Sequence, residues 1–203
     1  ELHDTYKSVF EALYHAGIQN KVKIDIVKID SELLEIEDAK QLDKVDGILV
    51  PGGFGQRGIE GMIIAVEYAR KKKMPYFGIC LGMHMMVVEY ARNVAGLKGA
   101  HTTECESASP YPVISLLEEQ ENITTMGGTM RLGANDSKLK LNTKIHSFYG
   151  KEIISERHRH RYEFANQYRD TLTSAGLIIS GTTADEELVE SVEWKNHPWG
   201  IGV

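Results

Sequence analysis

The chain has little of three things that would each point to a particular class of protein. Only two of its 203 residues are cysteine, Cys80 and Cys105, so a disulfide framework is excluded. The formal charge is −6, which argues against a nucleic-acid interface because such an interface needs a basic surface. No apolar run approaches the roughly 18 residues of a membrane span, and no secretory signal pattern is visible. These absences predict a cytoplasmic protein with small-molecule ligands and neither membrane nor nucleic-acid partners.

What is present is an alternation of strand-like and helix-like segments. Residues 21–30 alternate apolar and polar side chains, residues 46–55 are a short apolar run that proline and glycine end, and residues 74–79 are predicted as the next strand. Helical spacing follows over residues 59–73 and again over 81–96. Three such strand-then-helix steps predict an α/β fold, with a mostly parallel central sheet and flanking helices.

The second half of the chain has a looser pattern. A helix is predicted over residues 167–176, and two strands over 176–183 and 188–194 are predicted to form an antiparallel extension of the sheet. The chain opens on a helix that precedes Gly17, with no strand before it, and "HPWGIGV" at the other end resembles the middle of a strand. We therefore expect one domain, residues 1–203, truncated at both ends.

Cys80 lies in the segment "GICLG", where a predicted strand gives way to a helix. Ligands of open parallel sheets collect at such strand ends, and a nucleophile on a tight turn needs small residues two before and two after it. The helix dipole and free N–H groups favour a thiolate there. The N–H groups of Leu81 and of Gly53, in "VPGGFG", are predicted to form an oxyanion hole. From this pattern alone, a buried structural cysteine remains an open alternative.

Five motifs carry a family resemblance: "VPGGFGQRGIEG", "GICLGM", "GGTMRLG", "ERHRHRYE" and "HPW". Their order and spacing resemble the glutaminase domain of the CTP synthase family, which belongs to the class I (triad) glutamine amidotransferases, and the likeness runs over the whole chain. It implies a flavodoxin-like fold and an enzyme that hydrolyses glutamine to glutamate and ammonia through a thioester on Cys80. The ammonia would feed ATP-dependent amination of UTP to CTP in an upstream synthetase domain that is absent from this chain.

The resemblance also implies roles for individual residues. Glu104 matches the carboxylate that holds the α-ammonium group of glutamine, and Arg161 matches the cation that holds its α-carboxylate. Thr129 and Arg131 lie in a loop that resembles the family's lid, which is associated with activation by GTP. Without the resemblance, a surface acid, a surface salt bridge and a glycine-rich turn are the simpler interpretations of these residues. The implied glutamine site comprises Gly53, Leu81, Gly82, Met83, His84, Glu104 and Arg161.

Two departures from the family pattern keep alternatives open. The family's catalytic histidine and glutamate follow a segment like "HPWGIGV", so we expect them beyond Val203 and name no base in this chain. His84 stands where the family usually has glutamine, although a neutral imidazole can still donate one hydrogen bond and accept another. This replacement favours a second hypothesis, a non-catalytic glutamine-sensing or scaffold domain. A third is another cysteine hydrolase, against which the Glu104 and Arg161 charge pair argues.

No metal or cofactor is expected in this domain. Strand alternation would place His158 and His160 on one face of "RHRHR", but the flanking arginines repel a cation and no acidic or cysteine third ligand is evident from the sequence. Structural or anion-facing histidines are the favoured interpretation. The resemblance assigns ATP, UTP and Mg²⁺ to the absent synthetase domain, names GTP as activator, and implies that the full protein is a homotetramer.

Overall fold

A computed structural model describes residues 4–36, 39–116 and 130–203. The helices are α1 (Lys7–Asn20), α2 (Ser31–Ile36), α3 (Ile59–Lys72), α4 (Leu81–Asn93), α5 (Lys144–Tyr149) and α6 (Arg169–Ser174), with 3-10 turns at Ala39–Lys44 and Asn166–Tyr168. The strands are β1 (Ile48–Val50), β2 (Tyr76–Gly78), β3 (Ala100–Thr102), β4 (Tyr111–Ser115), β5 (Arg131–Leu139), β6 (Ile153–His160), β7 (Glu163–Phe164), β8 (Leu177–Thr182), β9 (Val189–Trp194) and β10 (Gly200–Gly202).

The main sheet has the strand order β1-β2-β10-β9-β8-β5-β6. Strands β1, β2 and β10 run parallel, and each pairing from β10 onward to β6 is antiparallel. A smaller sheet has the order β3-β4-β7. The predicted α/β class, with a parallel part, flanking helices and an antiparallel extension, is confirmed.

Two hydrophobic cores cover opposite faces of the main sheet. Neighbouring residues of a strand point to opposite faces, so Tyr76 of β2 packs into the larger core while Phe77 packs into the smaller one. The larger core is built around α4, in which every residue from 81 to 91 is buried. Because both faces of β9 are covered, its two glutamates, Glu190 and Glu193, are also buried. The carboxylate of Glu193 accepts hydrogen bonds from the first amides of α5 at 2.9 and 3.1 Å.

The helices predicted over residues 59–73 and 81–96 are confirmed, although α4 already ends at Asn93. The helix predicted over 167–176 forms in two parts, a 3-10 turn and α6. Among the helices of the described ranges, none combines the length and apolar composition that crossing a bilayer requires.

Two predictions in the first 30 residues are wrong. Residues 21–30 form no strand: within the described part of the chain the main sheet ends at β1, and Val22 and Val27 are exposed. Alternation alone therefore misled, because a strand also needs a neighbouring backbone to pair with. Helix α1 does not stop before Gly17 but continues to Asn20. Gly17 is needed within the helix because a Cβ there would lie 2.8 Å from the carbonyl oxygen of Val22, where the chain folds back.

Candidate active site

Cys80 occupies a strained turn between β2 and α4. Its backbone angles are φ 52° and ψ −104°, a conformation that is rare for a residue with a side chain. The turn tolerates no larger flanking residues, as predicted: a Cβ on Gly78 would lie 2.6 Å from the carbonyl carbon and oxygen of Gly82. A Cβ on Gly82 would lie 3.0 Å from the carbonyl carbon of Val50. Strain of this kind marks functional sites and persists only where the surroundings enforce it.

Hydrogen bonds to neighbouring strands hold this turn. The amide of Cys80 donates to the carbonyl of Val203 at 2.7 Å, and the amide of Val203 donates to Gly78 at 2.9 Å. The amide of Ile79 donates to the carbonyl of Val50 at 3.0 Å. The cysteine is thus fixed between β1 and β10, at the carboxyl ends of the parallel strands.

Two backbone amides converge on the sulfur of Cys80. The N–H groups of Leu81 and Gly53 both donate toward the thiol, and each lowers its pKa. These are the two residues proposed from the sequence as oxyanion donors. The arrangement can therefore stabilise a negative charge that develops next to the sulfur.

The sequence predicts that the start of α4 favours the thiolate of Cys80, and the Leu81 amide does lower the pKa of the thiol, but burial outweighs it. Burial of the sulfur is the largest influence and raises its pKa, and the charges of Glu104 and Glu163 raise it further. The two amide hydrogen bonds oppose this increase without reversing it. The resting side chain is accordingly a thiol at neutral pH, and it needs a base to become a nucleophile.

The sulfur faces a cavity of about 130 Å³. Of the predicted glutamine-site residues, Cys80, Met83 and His84 line it. His84 is buried, and its Nδ1 has no hydrogen-bond partner among the residues that the structure describes. Burial, followed by the nearby charge of His160, lowers the pKa of His84 to about 4, so its ring is neutral near pH 7.

Glu104 and Arg161 are not among the residues that line this cavity, but Glu104 contacts the loop that holds Gly53. Oε1 of Glu104 accepts a hydrogen bond from the amide of Gly55 at 2.9 Å, two residues after Gly53. Arg161 is half-buried and follows β6. Both charges act on the phenol of Tyr162, in opposite directions, with the influence of burial larger than either. The structure therefore brings the predicted charge pair near one side chain, on the same side of the molecule as Cys80.

Gly82 and Met83 have structural functions at this site. Within the turn, the amide of Gly82 donates to Ile79 at 2.9 Å and its carbonyl accepts from the hydroxyl of Tyr76 at 2.8 Å. The side chain of Met83 packs so closely on Gly202 that a Cβ there would lie 2.8 Å from its Cγ. Both residues keep α4 against the strand ends.

Arg131 belongs to a charge cluster whose other four members line the cavity, and Thr129 lies outside the described residues. The guanidinium of Arg131 contacts Glu190 at 2.8 Å and Glu163 at 3.4 Å. His160 contacts Glu163 at 2.7 Å, and His158 contacts Glu190 at 3.5 Å. We refer to these five residues as the buried charge cluster.

The carboxylates of this cluster were missed from the sequence. The two histidines share one half-buried face of β6, as predicted, and each faces a carboxylate, which agrees with the expectation of anion-facing histidines. Glu163 stands inside the quoted motif "RHRHRYE", where its proximity to His160 was a usable signal. Glu190 gave no such signal, because the sequence does not show that both faces of its strand, β9, are buried. Across residues 4–36, 39–116 and 130–203, no group of three or more candidate ligands is arranged to hold a metal ion.

Comparison with known proteins identifies the family. The family model described as "Glutamine amidotransferase class-I" matches residues 1–203. The chain is 57% identical over 201 residues to a CTP synthase of Carboxydothermus hydrogenoformans, and 53% identical over 204 residues to one of Clostridium acetobutylicum. These matches cover 98% and 100% of this chain, which spans 38% of the length of each relative.

A solved structure gives the same assignment at the level of the fold. The glutaminase domain of Trypanosoma brucei CTPS, determined with bound acivicin, superposes with a TM-score of 0.92 at 37% identity. The match covers 100% of this chain and 80% of that one. The chain therefore belongs to the class I glutamine amidotransferases and, within them, to the glutaminase domains of CTP synthases.

Proposed function

We propose that this chain hydrolyses the side-chain carboxamide of glutamine, with Cys80 as the nucleophile. The observation that carries the proposal is the strained turn at Cys80, where two amides converge on a sulfur that faces a cavity. Such strain has a cost in stability, and a purely structural cysteine gives no reason to keep it. The acivicin in the related T. brucei structure supports a site for small ligands in this fold.

The reaction follows from the donors around the sulfur. After a base removes its proton, the sulfur attacks the side-chain carbonyl carbon, and the N–H groups of Gly53 and Leu81 stabilise the oxyanion. The C–N bond then breaks, and the protonated nitrogen leaves as ammonia. Water hydrolyses the resulting thioester, giving glutamate and restoring the thiol. The base is assigned to the histidine and carboxylate that the family resemblance places beyond Val203.

Glu104 and Arg161 are proposed to orient the amino-acid end of the substrate. A carboxylate for the α-ammonium group and a guanidinium for the α-carboxylate give each substrate charge a charge-assisted hydrogen bond. Their common proximity to Tyr162, and the hydrogen bond of Glu104 to Gly55 in the Gly53 loop, support this arrangement. The other proposed contacts are made by Gly82, Met83 and His84.

The proposal for the whole protein extends beyond this chain. The ammonia would be used in ATP-dependent amination of UTP to CTP, in a synthetase domain that binds the nucleotides and Mg²⁺. The high identity to CTP synthases of bacteria supports this assignment. The proposal also includes activation by GTP that involves Thr129 and Arg131, the first residue of β5, together with a homotetramer and a cytoplasmic location.

A non-catalytic glutamine-sensing domain is the second candidate. It is favoured by His84 in place of the usual glutamine and by the raised pKa of the Cys80 thiol. A sensor needs to bind glutamine but not to ionise the sulfur. Ammonia release separates the two functions directly.

The test is Cys80→Ala in the full-length protein, with Cys105→Ala as the matched control. We expect Cys80→Ala to abolish ammonia release from glutamine while CTP synthesis from added ammonia continues, and Cys105→Ala to retain both. Undiminished ammonia release by Cys80→Ala would overturn the proposal. Loss of both activities would assign Cys80 a folding role instead.

A further inference from the structure

Hydrogen bonds join the two loops that carry Gly53 and Glu104, which follow β1 and β3 respectively. The amide of Gly55 donates to Oε1 of Glu104 at 2.9 Å. In the next residue of the same loop, Nε2 of Gln56 donates to the carbonyl oxygen of Cys105 at 2.9 Å. We call these two hydrogen bonds the loop clasp. The Cys105 thiol also approaches the Gly55 carbonyl at 3.6 Å, but a thiol is a weak donor and this contact adds little.

The loop that carries Gly53 is held by its own packing. A Cβ on Gly53 would lie 3.2 Å from Cδ2 of Leu81, and a Cβ on Gly52 would lie 3.4 Å from the Cβ of Cys80. Both glycines therefore lie directly against the turn that holds the nucleophile. This contact fixes the oxyanion donors relative to each other, whether or not the clasp is present.

The loop that carries Glu104 takes its shape from hydrogen bonds to Thr102. The amides of Cys105 and Glu106 both donate to the Thr102 carbonyl, at 3.1 and 3.0 Å. The amide of Glu104 donates to Oγ1 of Thr102 at 3.2 Å. These local bonds define the turn, but they do not set its distance from the neighbouring loop. The clasp sets that distance.

Building on the glutaminase function proposed above, we propose that Gln56 is a positioning residue for glutamine. By holding the Cys105 carbonyl, its side chain keeps the Glu104 carboxylate at a fixed distance from the oxyanion donors. Glutamine spans only a limited length, so the groups that bind its α-ammonium end and its side-chain carbonyl must keep a matching separation. A carboxylate has about four acceptor sites, so Glu104 can bond to Gly55 and to the substrate together.

The expected effect is on binding rather than on the chemical step. Gln56 is exposed, so water competes for its hydrogen bond, which contributes at the low end of the range for neutral pairs. Its loss should raise the KM for glutamine about threefold. The kcat should stay within about twofold, because Glu104 binds an end of the substrate that does not change during the reaction. A ligand without the α-ammonium group does not use Glu104, so its affinity should not change.

Gln56→Met in the full-length protein keeps the length of the side chain and removes its donor. Gln19→Met, at an exposed position of α1, is the matched control. We would measure kcat and KM for the formation of glutamate from glutamine. Glutaramate, which is glutamine without its α-amino group, would be measured as a competitive inhibitor of that reaction. The inference predicts that Gln56→Met raises KM about threefold and leaves the inhibition constant of glutaramate unchanged, while Gln19→Met alters neither constant.

Three results would contradict the inference. An unchanged KM in Gln56→Met would show that the clasp does not position Glu104. An equal rise in KM and in the glutaramate inhibition constant would indicate a general disturbance of the cavity. A fall in kcat at constant KM would show that the clasp acts on the oxyanion donors instead. All three leave the glutaminase function intact, whereas a wild-type protein that binds glutamine but forms no glutamate would refute that function and the role of Gln56 with it.

Discussion

Replacing Gly78 with alanine should disable the turn that holds Cys80. The new Cβ would lie 2.6 Å from the carbonyl carbon and oxygen of Gly82 and 2.8 Å from the amide nitrogen of Met83, all of them backbone atoms. Ordinary contact begins at 3.4 Å, so the first turn of α4 must retreat by about 0.8 Å. Forced overpacking of this kind costs about 1–3 kcal/mol, which in a protein of this size lowers the melting temperature by roughly 5 °C.

The displacement should affect catalysis more than stability. Moving α4 shifts both Cys80 and the Leu81 amide relative to the Gly53 amide, which belongs to a different segment. A misplacement of about 1 Å can lower a rate about 100-fold, so kcat/KM for ammonia release should fall by about that factor. Gly47→Ala is the matched control, because its Cβ would meet Pro75 at an ordinary 3.5 Å. If Gly78→Ala melted and turned over like Gly47→Ala, the steric explanation of the turn would be refuted.

Two further predictions concern buried charge. Arg131→Met leaves Glu163 and Glu190 without their guanidinium and should reduce the free energy of unfolding, measured in urea, by about 3–5 kcal/mol. The control Lys138→Met removes an exposed ion pair and should change that free energy by less than about 1 kcal/mol. Equal effects of the two variants would contradict the buried charge cluster. Folding lowers the pKa of His84 from 6.5 to about 4, so below pH 6.5 the unfolded state binds a proton that the folded state does not. Between pH 7 and pH 5 the wild type should therefore lose about 2 kcal/mol more stability than His84→Gln. Parallel curves of unfolding free energy against pH would argue against a buried neutral His84.

The features of the site that could be predicted from the sequence are the local ones. Gly78 is required by contacts with Gly82 and Met83, within five residues, so the segment "GICLG" already contains this part of the steric information for the turn. Gly82 is required by the backbone of Val50, which the strand-end argument brings close to it. Leu81 follows the cysteine directly, and its amide position is fixed once the turn is known. Predicting the position of Gly53 required only that the carboxyl ends of parallel strands meet at one edge of the sheet.

What could not be predicted depends on burial and on distant partners. The pKa of Cys80 is raised because burial and two acids outweigh two amides, and only coordinates give that balance. Glu190 joins Arg131 across 59 residues of sequence, so no spacing rule connects them. The strand predicted over residues 21–30 is wrong for a different reason. The alternation of apolar and polar residues is real, but no described strand pairs with this segment.

The most direct test of Cys80 as a glutamine-directed nucleophile is mass spectrometry after treatment of the full-length protein with a chloroketone analogue of glutamine. Burial and nearby acids oppose ionisation of both sulfurs. They raise the pKa of Cys105 to about 11, and among the described residues no backbone amide donates a hydrogen bond that lowers it. We predict a single adduct, on Cys80, and we expect excess glutamine to prevent its formation. Labelling of Cys105 alone, or labelling of Cys80 that glutamine does not slow, would contradict the account.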